Sequence, residues 1–104
     1  MNNFLLLYHG GSRSEDPAVQ AKAMADWTNW FGNLGAALVD GGNPASQTRE
    51  ISADGSVTPL NGGAPSGYSI IKADSIDAAV ALAKGCPLLS DGGRVQVVET
   101  VDAM

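Results

Sequence analysis

Cysteine and histidine are nearly missing from this chain: Cys86 and His9 are the only ones. A lone cysteine forms no internal disulfide and fits a reducing, cytoplasmic setting. No Cys, His and Asp cluster has metal-ligand spacing, so no metal is expected. Basic residues are scarce, six Lys and Arg against eleven Asp and Glu, for a net charge of −5. The six form no cluster, so the footprint of a nucleic-acid binder is missing, and an acidic membrane surface would repel the chain. Long hydrophobic runs are absent too. The N-terminal "FLLLY" is five residues long with no basic residue before it. Neither a signal peptide nor a membrane span is expected. The four Gly-Gly pairs match neither a dinucleotide fingerprint nor a Walker loop, and no organic cofactor is expected.

What remains is enough for one domain of 104 residues with 44% hydrophobic side chains. Phe4 to Tyr8 reads as a strand covered on both faces, ended by "HGGS". Ser14 or Asp16 can cap a helix that takes Pro17 in its first turn and runs to about Leu34. Met24, Trp27, Phe31 and Leu34 form its apolar stripe, and Trp30 sits at the stripe's edge. Ala37 to Val39 is a short strand, and Gly41 to Pro44 turns the chain. Gln47 to Val57 reads as ragged strand with a turn at Asp54-Gly55, followed by a loop. Gly67 to Ala73 is a strand. Ser75 caps a second helix with Ile76, Ala79, Val80 and Ala83 inward. A last strand starts at Arg94.

The order β-α-β-β-α-β predicts an α+β, ferredoxin-like domain, two helices on one face of a four-stranded antiparallel sheet. Strands alternate faces, so Phe4 and Leu6 point opposite to Leu5 and Leu7, Ile70 opposes Ile71 and Val97 opposes Val98; apolar residues leave the sheet on both sides, and the helices take only one. That second apolar side predicts a homodimer closed sheet to sheet.

The segments "FLLLYHG", "WTNWFGNLGAALVDGGNP", "GYSIIKADSIDAAVALAKGCP" and "GGRVQVVE" resemble the YCII-related family, which includes the DGPF-domain proteins. The likeness runs from Phe4 to Glu99. It implies a dimeric α+β barrel and a cleft between the first helix and the sheet that holds a small organic molecule. It also implies a histidine–aspartate pair, with the histidine on the first helix near Met24. This chain has no histidine there, and "DGSVTPLNGGAPS" at 54–66 stands where the DGPF signature belongs.

The residues themselves leave two readings for each candidate. His9 is the one side chain that titrates near neutrality unaided, so it is an acid/base group at a cleft rim or an exposed loop histidine. Asp40 orients His9, or it bonds the backbone of its own Asp-Gly turn. Trp27 and Trp30 wall a cleft or pack the core; three residues apart, they are expected on different stripes. Asn43 offers a polar contact, and Tyr68 presents a hydroxyl or packs. Cys86 follows a helix end, where a thiolate is disfavoured, and reads as buried and inert. The expected function is small-molecule binding in the helix–sheet cleft, with cofactor-free proton transfer by His9 and Asp40. The alternative is a non-catalytic binding or accessory dimer.

Overall fold

The β-branched and leucine-rich runs of this chain pair into one sheet, and the helices between them cover only one side of it. A computed structural model describes residues 1–11, 15–60 and 63–102. Strands β1 (Asn2–His9), β2 (Leu38–Asp40), β5 (Gly67–Ala73) and β6 (Arg94–Glu99) form a four-stranded antiparallel sheet in the order β2-β5-β1-β6. Two helices, α1 (Pro17–Leu34) and α2 (Ile76–Ala83), complete an α+β arrangement compatible with a ferredoxin-like fold. A separate hairpin, β3 (Arg49–Ile51) with β4 (Val57–Pro59), is inserted between β2 and β5. Among the described residues, no helix is long and apolar enough to cross a membrane.

Side-chain alternation assigns the two faces. Phe4, Leu6 and Tyr8 of β1 and Ile71 and Ala73 of β5 are buried. They pack with Trp30 and Leu34 of α1 and Ala79 and Ala83 of α2 in one core. The intervening residues point the other way. Leu5 lies between Ile70 and Val98, and Leu7 between Tyr68 and Gln96. These apolar side chains are half-buried, except Val98, which is exposed.

The helix caps come from the expected side chains. Asp16 Oδ1 accepts from the Ala18 amide at 2.9 Å, and Ser75 Oγ from the Ala78 amide at 3.1 Å. Ser14, the other candidate cap, lies outside the described residues. The helix stripes differ from expectation. Met24 is exposed and Trp30 is buried. The reason is Trp30, whose indole Nε1 donates to the Leu82 carbonyl of α2 at 3.3 Å and so turns α1 toward that helix. On α2, Ile76 and Val80 are exposed while Ala79 and Ala83 are buried. Small residues let α2 lie close on the sheet, so the branched ones rotate outward.

Candidate functional site

A cleft of about 320 Å³ opens between α1 and the sheet. Its floor is aromatic. Tyr8 rises from β1, and Trp27 and Phe31 come down from α1 one turn apart. The Tyr8 and Trp27 rings meet edge to face at 5.1 Å and 74°, and Trp27 and Phe31 are 5.7 Å apart. The turn Gly41–Pro44 and the start of β5, Ser66 to Tyr68, line it side by side, joined by the Pro44–Gly67 bridge and the bond from the Tyr68 amide to the Asn43 carbonyl at 3.3 Å. Among the described residues, no charged side chain lines it.

Two features fix the walls. A hydroxyl relay holds the floor: Tyr8 O–H donates to Ser69 Oγ at 2.7 Å, and Ser69 Oγ donates to the Gly41 carbonyl at 2.7 Å. Ser69 is fully buried. Burial raises the Tyr8 phenol far above its ordinary range, against the opposing pull of the Ser69 bond, so it stays protonated. The turn itself depends on Gly42, at φ 71°. A Cβ there would run into the Tyr68 carbonyl, so the backbone approaches β5 as only glycine allows.

Asp40 belongs to this turn. Its Oδ1 accepts from the Gly42 amide at 2.8 Å, and its side chain does not line the cleft. His9 is placed elsewhere. It is 6% exposed, with Nε2 2.7 Å from Gln96 Oε1 and a buried Nδ1 that has no partner among the described residues. Asp40 is level with Ile70, and Ile70 with Leu5, four residues along β1 from His9 and two strands away. Those spacings put the two Cα atoms about 16 Å apart. The pair expected to exchange a proton is therefore not brought together, because β5 lies between their strands and Asp40 is level with the middle of β1 while His9 is at its end.

Three of the other expected residues do converge. Trp27, Asn43 and Tyr68 line the aromatic cleft, with Asn43 at its exposed rim. Trp30 does not; it is buried and lines a separate depression of about 410 Å³ beside Gly85 and Pro87. The two indoles nevertheless touch, at 5.6 Å and 74°. Residues three apart are neighbours on a helix, so the expectation of separate stripes was a misreading of helical spacing. From the sequence Tyr8, like Tyr68, presents a hydroxyl to a cavity or packs, Phe31 has only a packing role, and Ser69 is passed over. Ser69's signal was a serine at an inward strand position, which needs a buried partner. Cys86 is buried, and burial pushes its thiol from its ordinary 9.0 up to about 11.

Compared with protein-family models, with curated proteins and with solved structures, the chain matches none.

Proposed function

We propose that this protein binds a small, uncharged, largely apolar organic molecule in the cleft between α1 and the sheet. The observation that carries the reading is the lining itself: an aromatic floor of Tyr8, Trp27 and Phe31 and, among the described residues, no charged side chain in the lining. A preformed apolar pocket with a few polar groups at its rim suits a neutral guest. Asn43 and Ser66 supply those polar groups. A carboxylate or phosphate guest would lose its hydration and find no cation among the described lining residues in exchange. The rigid turn at Gly42 and the Tyr8–Ser69–Gly41 relay keep the pocket open before the guest arrives.

Binding without chemistry is the better-supported version. A general acid or base has to come within hydrogen-bond reach of its target. Neither His9 nor Asp40 lines the cleft. Tyr8 holds its proton and spends its hydroxyl on Ser69.

The proposal includes a homodimer closed over the open sheet face, as the resemblance to the YCII-related family implies, in the reducing, cytoplasmic setting that a lone cysteine fits. The row Val98–Leu5–Ile70 and its neighbour Leu7 support it. Small monomers seldom leave such a surface in water.

Protein NMR against a library of neutral and charged fragments tests the binding site. Neutral aromatic fragments are expected to shift the Trp27 indole and the Gly67 amide, while carboxylates leave both in place. Shifts confined to other surfaces, or a preference for anions, would sink the reading.

A further inference from the structure

We propose that the aromatic cleft takes a second class of guest, a small organic cation headed by a quaternary ammonium group. The proposal rests on the cleft reading above and adds one kind of charge to the guests it admits.

Ring geometry comes first. Tyr8, Trp27, Phe31 and Tyr68 all line one cleft of about 320 Å³. Neighbouring rings of the floor are inclined to each other, Tyr8 to Trp27 at 74° and Trp27 to Phe31 at 56°. A flat guest can lie on only one such ring and meets the next on edge. A rounded guest, such as a tetrahedral trimethylammonium group, can touch all three. A cation is attracted by the negative face of a ring when it lies within about 6 Å of the centroid. With centroids 5.1 and 5.7 Å apart, one such group sits within that range of neighbouring rings.

Hydrogen bonding narrows the cation. The polar groups of the floor already serve one another, Tyr8 O–H to Ser69 Oγ and Ser69 Oγ to the Gly41 carbonyl. A primary ammonium would bring three N–H donors into this lining and leave them short of acceptors. A quaternary ammonium has no N–H to satisfy. Its methyl groups suit the same apolar walls that suit a neutral guest.

Charge complementarity points the same way. The chain carries a net charge of −5, which draws cations from solution. Asp40 stands just behind the turn that lines the cleft. Its Oδ1 is 2.8 Å from the amide of Gly42, a lining residue. Its carboxylate makes no ion pair with any described residue. A guest in contact with Gly42 therefore lies about 7 Å from that carboxylate, since apolar contact adds about 4 Å. Even at the dielectric of water this favours a cation about threefold. Asp40 thus acts on the guest through space while its side chain holds the turn. The cleft's size commits the guest to a free small molecule, because 320 Å³ is at the lower end of the roughly 300–1,000 Å³ of such sites.

NMR titration of the full chain with two probes of one shape tests this. Choline and 3,3-dimethyl-1-butanol differ only in the quaternary nitrogen, which is carbon in the alcohol. Both are expected to shift the Trp27 indole, with choline on the order of 10-fold tighter. Ethanolamine, a primary ammonium, is expected to bind more weakly than choline. Asp40→Asn keeps an acceptor for the Gly42 amide and is expected to lower the choline-to-alcohol affinity ratio about threefold. Trp27→Leu, checked for its fold by far-UV circular dichroism, is expected to lower that ratio about threefold as well. The wild-type comparison needs neither variant to fold. If the alcohol shifts the Trp27 indole and choline binds no tighter, the cation proposal falls and the neutral cleft stands. If neither probe moves the indole, both readings fall. Ethanolamine binding as tightly as choline would reduce the effect to bare charge and overturn the aromatic site. A trimethyllysine peptide that binds where choline does not would overturn the small-molecule guest.

Discussion

The relay Tyr8–Ser69–Gly41 ties the floor of the cleft to its wall, and its cost on removal can be worked through bond by bond. In Tyr8→Phe the ring still packs on Trp27, and Ser69 still donates to the Gly41 carbonyl. One bond between neutral groups is lost, at about 1 kcal/mol. Ser69→Ala is worse. It strands two groups, the phenol O–H of a residue only 6% exposed and the carbonyl of Gly41. Leaving buried polar groups unpaired makes that substitution cost about 3 kcal/mol. In the double variant the phenol is gone, so only the Gly41 carbonyl is orphaned, at about 2 kcal/mol. The double variant is thus more stable than Ser69→Ala alone, and the pair falls short of additivity by about 2 kcal/mol. Urea unfolding reads this directly. With a slope of about 1.5 kcal/mol/M, the midpoints are expected to fall by about 0.7 M, 2 M and 1.3 M for Tyr8→Phe, Ser69→Ala and the double variant. All four proteins are compared at one concentration, because dimerisation would shift the midpoints by mass action. Additive losses, or a double variant weaker than Ser69→Ala, would show that the hydroxyls do not act as a unit. The relay would then not be what holds Gly41 against the floor.

Two other outcomes follow from the same geometry. Gly42→Ala forces a Cβ into the Tyr68 carbonyl at a positive φ. It is expected to cost about 3 kcal/mol and to abolish fragment shifts at the Trp27 indole, measured by urea unfolding and NMR. The Cys86 thiol is raised by burial from its ordinary 9.0 to about 11, so the fold holds the neutral form. The stability this represents is complete below pH 9 and is lost as the pH rises toward 11, because the unfolded chain gives up its proton first. Unfolding free energy measured from pH 8 to 11 is expected to decline less in Cys86→Ala than in wild type. Ellman's reagent at pH 8 is expected to label Cys86 slowly in the native protein and at once in urea; fast native labelling would contradict the burial.

The sequence by itself determined the local elements, because periodicity and capping act over a few residues. Gly67 to Ala73 as a strand, the helix from Pro17 to Leu34, the Ser75 cap and the Asp54-Gly55 turn need no distant partner to be read. Alternation along β1 and β5 likewise determined that both sheet faces are apolar. Only the tertiary structure decided how these elements meet. Trp30 rather than Met24 is buried, because the position of α2 selects which side of α1 faces in. Ser69 became part of the site because antiparallel register sets it beside Tyr8 and under Gly41, residues far off in sequence. His9 and Asp40, both at strand ends beside glycines, look alike along the chain. They lie apart because β5 inserts between their strands, and strand order is fixed by packing over the whole domain, not by any short stretch of residues.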